Sequence, residues 1–138
     1  MVEGTRVLAI DYGTKRIGLA LSDPMKILAI PFDTWENRGD LVEKILTLIN
    51  EKNVDKVLVG YPLNGDGSKT VLSDVIEKFA ASLRGRSGVD VELVDERYSS
   101  SIASERIISS VAKKSKRRDK GLVDKFAAAV LLEEFLNS

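Results

Sequence analysis

Val7-Leu8-Ala9-Ile10-Asp11-Tyr12-Gly13-Thr14-Lys15-Arg16-Ile17-Gly18-Leu19-Ala20-Leu21-Ser22-Asp23 is the stretch on which the reading of the fold turns. Its four opening apolar residues describe a strand buried on both faces, and Asp11 stands where that run stops. Residues 11–15, with Gly13 free to take a positive φ, are enough to turn the chain back into the apolar-rich run 17–21. An antiparallel hairpin with Asp11 at its tip is therefore expected. A carboxylate at the mouth of a buried strand is a candidate functional group.

Downstream, Ile27-Leu28-Ala29-Ile30-Pro31 reads as a short third strand ending at or near a sheet edge, because proline cannot donate to a ladder. Residues 33–39 read as loop. Leu41, Val42, Ile45, Leu48 and Ile49 then recur at helical spacing, with Asp40 as cap and Glu43 in the reciprocal position. Val57-Leu58-Val59-Gly60 is a second buried strand, followed by the turn-rich loop Tyr61-Pro62-Leu63-Asn64-Gly65-Asp66-Gly67-Ser68. Helical spacing returns over about 70–83, residues 89–94 give a fifth strand, and further helices are expected over 102–111 and 122–136. Three antiparallel-capable strands followed by strand–helix alternation predict an α/β fold. Its five-stranded mixed sheet has the first three strands antiparallel and helices on both faces. One domain over residues 1–138 is expected.

The chain has 138 residues, with 43% apolar and 30% charged, the balance of a soluble globular protein. Without a long apolar run or a signal pattern at the start, neither a membrane partner nor secretion is expected, and the cytoplasm is the default. Cys and His are both absent. Thiolate and imidazole chemistry is thereby excluded, so catalysis must run on carboxylates, hydroxyls, Lys, Arg or metal-bound water. Net charge is zero, yet residues 113–120 hold six Lys/Arg against Asp119, a local +5.

Three acids break the apolar pattern: Asp11 after the first strand, Glu96 after the fifth, and Asp124 beside the small-residue face of the last helix. If the first and fifth strands are near neighbours and that helix packs across them, the three converge at one end of the sheet. Converged carboxylates repel unless cations lie between them, and an all-oxygen ligand set suits Mg²⁺ or Mn²⁺. Two such ions roughly 3.5–4 Å apart hold the attacking water and the leaving oxygen of a phosphodiester, which makes His dispensable. Asp95 competes with Glu96, since adjacent strand residues face opposite ways, and the pattern alone does not choose between them.

Ala9-Ile10-Asp11-Tyr12-Gly13 through Gly18-Leu19-Ala20, Val59-Gly60-Tyr61-Pro62-Leu63-Asn64-Gly65-Asp66-Gly67, Asp95-Glu96-Arg97 and Val123-Asp124-Lys125-Phe126-Ala127-Ala128-Ala129 together resemble the four blocks of the YqgF/RuvX family. The resemblance covers nearly the whole chain. It implies an RNase H-like fold related to the RuvC resolvases, and a role either as a nuclease of the pre-16S rRNA 5′ end in ribosome biogenesis or as a Holliday junction resolvase-like protein. It also assigns the metal-binding acids to Asp11, Glu96 and Asp124. RuvC-type sites commonly carry a fourth acid on the last helix, where this chain has Lys125 and Ala128.

Around those acids, Lys15, Arg16 and Arg97 are candidates for holding substrate. Asn64 with the backbone near Gly65 lies where ligands of open α/β sheets gather. In the basic run, Lys113, Lys114, Lys116, Arg117 and Arg118 are candidates for the nucleic-acid backbone. Ser99, Ser100 and Ser101 read as a helix cap. Expected partners are nucleic acid, either pre-rRNA or structured DNA, and ribosomal precursor particles. A monomer is favoured over the dimer that symmetric junction cutting would need. Two competing readings are an ATPase or sugar kinase of the actin/Hsp70 type, whose first phosphate motif Asp11-Tyr12-Gly13-Thr14 resembles, and a non-catalytic nucleic-acid-binding module.

Overall fold

A computed structural model describes residues 4–95 and 120–137, with side chains in the last segment from Lys125 onward. The strands β1 (Arg6–Tyr12), β2 (Arg16–Ser22), β3 (Ala29–Glu36), β4 (Val54–Tyr61) and β5 (Asp90–Asp95) form one sheet in the order β3-β2-β1-β4-β5. β2 is antiparallel to β1 and β3, whereas β4 is parallel to β1 and β5. Helices α1 (Leu41–Glu51) and α2 (Val71–Ser87) cover one face, and α3 (Lys120–Leu136) crosses the other. This is the expected mixed sheet.

Strand alternation decides which face each residue serves. Leu8, Ile10, Val57, Val59 and Val91 pack with Ile45, Leu48, Ile76, Phe79 and Leu83 beneath α1 and α2. Val7, Ala9, Ala20 and Leu58 meet Ala128, Ala129, Leu131 and Leu132 of α3. Residues 7–10 are buried on both sides, as a central strand requires. Ala128 is fully buried, and its small side chain lets α3 lie close to the sheet.

Four local expectations are corrected. β3 does not stop at Pro31 but runs to Glu36 through most of the expected loop. Pro31 is accommodated because β3 is the sheet's edge and its register with β2 shifts between Leu19 and Ala20. Asp40 occupies the N-cap of α1 without a side-chain cap bond, and Glu43 instead accepts from Arg86 of α2 at 2.9 Å. The reciprocal box belongs to α2, between Thr70 and Ser73. Finally, Gly13 does not take a positive φ; a Cβ there would lie 2.5 Å from the Arg16 carbonyl oxygen, so the tight turn needs its missing side chain. The helix expected over 102–111 lies outside the described residues.

Candidate active site

The parallel strands β1, β4 and β5 all end at the same edge of the sheet, the carboxyl edge, where βα connections gather ligands. Asp11 is the penultimate residue of β1 and follows Ala9 in facing α3. Its cross-strand partner is Gly18. On its other side, the pairing of Ile10 with Val59 brings Gly60 level with it. The residues level with Asp11 in both neighbouring strands are therefore glycines. Glycine inside a strand often marks a close approach, and Gly18 and Gly60 were signals that the sequence reading left unused.

The tip of the hairpin is held from the third strand. Just past β3, Asn37 donates its backbone N–H to the Lys15 carbonyl and its Nδ2 to the Gly13 carbonyl, both at 2.9 Å. These bonds fix the turn that follows Asp11. Arg16 faces α3 beside this turn, opposite Glu36, while Lys15 is exposed at the tip.

β4 lies between β1 and β5, about 10 Å separating the backbones of the two strands. Asp95 follows Leu93 in facing α1 and α2, the side opposite Asp11. Glu96 and Arg97 lie outside the described residues, as do Lys113, Lys114, Lys116, Arg117 and Arg118.

Asp124 is in α3, though its side chain is not among those described. The direction of α3 follows from its other end. Lys56, near the start of β4 and paired with Val7, has its Nζ 5.5 Å from the centre of the Phe135 ring. The C-terminal turn of α3 therefore sits at the amino edge, and the helix comes from the carboxyl edge. Eleven residues of helix span about 16 Å, comparable to the length of β4 beyond Lys56. The backbone at 124 is thus carried toward the edge where Asp11 stands.

The loop after β4 is anchored at both ends. The buried Ser73 hydroxyl donates to the Pro62 carbonyl at 3.1 Å and accepts from the Thr70 N–H at 2.9 Å. The Asn64 amide nitrogen donates to Ser68 Oγ at 2.9 Å and to the Lys69 carbonyl at 3.3 Å, stapling the loop across the Leu63–Lys69 bridge. Its amide is therefore a loop-shaping group first. Gly65 is exposed, with open space where a Cβ would be. Gly67 at φ +91° makes the turn.

Beneath this loop, the Tyr61 hydroxyl donates to Glu77, and Lys69 Nζ lies 3.0 Å from the same carboxylate oxygen. Those two bonds hold the Glu77 carboxyl below its usual range, and the Glu77 acceptor raises both Tyr61 and Lys69. Lys69, a residue without a role in the sequence reading, is a further cation near this edge beside Lys15 and Arg16.

The full pattern of the chain answers to a known family model, described as "RuvX: Holliday junction resolvase", over residues 5–138. The chain belongs to the RuvX family. Relatives whose names propose a pre-16S rRNA nuclease include those of Prosthecochloris aestuarii, 38% identical over 96% of this chain and 93% of that protein. Another is that of Chlorobium luteolum, 41% identical over 95% and 93%. Among solved structures, RuvC of Thermus thermophilus in complex with a Holliday junction substrate superposes with a TM-score of 0.66 at 14% identity, covering 97% of each chain. The fowlpox virus resolvase with junction DNA gives 0.56 at 12%. These likenesses identify the RuvX chain's fold as that of the RuvC-type, RNase H-like resolvases.

Among the described residues no cluster of three acids forms a metal cage, since two of the three assigned acids have no described side chain. The donor chemistry nonetheless fits a hard divalent cation: a carboxylate at a strand mouth, in a chain with neither His nor Cys.

Proposed function

We propose that this RuvX-family protein is a divalent-metal-dependent nuclease whose substrate is the 5′ region of pre-16S rRNA. The observation that carries this reading is Asp11, placed level with glycines of both neighbouring strands at the carboxyl edge, on the face that α3 crosses with its N-terminal end directed there. The names of the close relatives support the RNA, and a pre-rRNA substrate would put the work in the cytoplasm. Strand parity removes Asp95 from Asp11's face, which supports Glu96 as the second acid. Asp11, Glu96 and Asp124 would hold Mg²⁺ or Mn²⁺, which when bound would supply Lewis-acid charge for hydrolysis of the phosphodiester.

The chain's own residues have separable tasks. Asp11 supplies fixed negative charge. Asn37 and Gly13 keep the turn after it rigid. Lys15 and Arg16 beside the turn, Lys69 on the loop, and Arg97 with Lys113, Lys114, Lys116, Arg117 and Arg118 are assigned to the substrate backbone. Asn64 and Gly65 shape and open the loop through which that backbone passes. Trimming one RNA end requires a single site, so a monomer suffices, acting on rRNA or on ribosomal precursor particles.

The test compares wild type with Asp11→Asn in Mg²⁺ or Mn²⁺, on a labelled pre-16S 5′ segment and on a four-way DNA junction. Cleavage of the RNA that falls more than about a hundredfold in the variant, whose thermal unfolding is unchanged, is the expected result. Preferential cutting of the junction would move the assignment to the resolvase activity that the family model names. Equal cleavage by both proteins would remove Asp11 from the mechanism.

A further inference from the structure

We infer that the hollow at the C-terminal end of β3, built around Trp35, holds an unpaired base of the substrate strand beside the site of cleavage, so that the substrate is single-stranded where it crosses the carboxyl edge. The inference rests on the nuclease reading above and specifies its substrate.

Trp35 is the chain's one tryptophan. It is half-buried, with part of its ring packed against the core beneath α1 and α2. Its Nε1 donates to Asp33 Oδ2 at 3.0 Å, and Lys44 Nζ lies 4.4 Å from the ring centroid. The ring is thus oriented in advance. Lys44 is exposed, and a cation over a ring at an exposed site is held weakly enough to be exchanged for a base.

Thr34, Glu36, Arg38, Asp40 and Lys44 complete the hollow. Its two cations are offset by Glu36, which pairs with Arg38, and Asp40, and Asp33 at the ring nitrogen adds a further carboxylate, so the hollow has no positive charge to attract a phosphate. It offers hydrogen-bond donors and acceptors around an aromatic face, the combination that suits the edge and plane of a nucleobase.

Its position connects it to Asp11. Trp35 pairs with Ile17, which pairs with Tyr12, so its backbone is two strand spacings, about 10 Å, from the residue after Asp11. Asn37, two residues on, is bonded to the hairpin tip itself. Trp35 faces α1 while Asp11 faces α3, so a strand joining the two passes over residues 13–15, where Lys15 is exposed. A duplex keeps its bases stacked inside, and only an unpaired base reaches the ring.

Because there is one tryptophan, its emission reports on this hollow without any label. The wild-type chain in EDTA, which prevents cutting, is titrated with a short single-stranded RNA and with the same RNA annealed to its complement. Anisotropy of an end label on the RNA follows binding independently. The expected result is quenching by the single strand that saturates with the anisotropy, and little quenching by the duplex. Trp35→Phe should bind like wild type, and Trp35→Leu at least about fivefold more weakly. Anisotropy showing binding while the emission stays still, or equal quenching by the duplex, overturns the inference. RNA cleavage by wild type in Mg²⁺ would then leave the nuclease reading standing. Absence of both binding and cleavage would remove the two together.

Discussion

Replacing Gly13 with alanine puts the physical account of the Asp11 hairpin to a direct test. A Cβ at this position meets the Arg16 carbonyl oxygen at 2.5 Å, about half an ångström inside any contact that carbon and oxygen tolerate, with the Arg16 carbonyl carbon at 3.6 Å. The obstacle is backbone, so no rotamer change relieves it. Either the turn opens or the β1–β2 ladder slides, and Asn37 resists both by holding the Gly13 carbonyl. Overpacking of this kind costs about 1–3 kcal/mol. For a chain of this size that is a fall in Tm of roughly 3–15 °C. Gly65→Ala is the matched control: nothing lies within 4 Å of its Cβ and its φ is not positive, so its Tm should move by no more than a degree or two. Calorimetry of both variants gives the stability, and cleavage assayed well below either Tm gives the function. Because the distorted turn adjoins Asp11, Gly13→Ala should lose cleavage even where it is fully folded. A Gly13→Ala protein with wild-type Tm and wild-type cleavage would show that the tight approach to Arg16 does not constrain this site.

Asn37→Ala removes the Nδ2 bond to the Gly13 carbonyl while its backbone N–H still holds the Lys15 carbonyl; a loss of about 0.5–1.5 kcal/mol in denaturant unfolding is expected, with kcat falling and KM nearly unchanged. Glu77 titrates below its ordinary value of 4.5 because Tyr61 and Lys69 bond its carboxylate. The unfolded chain therefore binds a proton more readily, so this contribution is complete above the unfolded pKa and is lost as pH falls through the folded one. Glu77→Gln should flatten the acid limb of a Tm-against-pH curve, and an unaltered limb would dismiss the network. Ala128 is fully buried where α3 meets the sheet, so Ala128→Leu should destabilise by about 1–3 kcal/mol; a stabilised variant would mean that α3 is not closely packed.

Nearly all of the sheet was legible in local pattern. Val7 to Ile10 and Val57 to Val59 announced central strands, and the spacing of Leu41, Ile45, Leu48 and Ile49 announced α1, because burial on two faces or on one helical stripe writes its period into the chain. The errors fell where a neighbour overrode local preference. Thr34 and Trp35 extend β3 because β2 offers them a free edge, although Asp33, Asn37 and Gly39 read as turn. Asp40 and Glu43 match a capping box, but Arg86, far along the chain, claims the glutamate.

The chain by itself established the kinds and order of the described strands and helices, the candidate acid at the end of the first strand, and the exclusion of thiol and imidazole chemistry. Only the tertiary structure decided that β4 separates β1 from β5, that Asp95 faces away from Asp11, that Gly18 and Gly60 flank that acid, and that Asn64 staples its own loop. The division has a physical cause. Period and composition report how each residue meets its own backbone and its own degree of burial, whereas strand order and face parity arise from which distant segments share a hydrogen-bonded row, a relation that no single segment encodes.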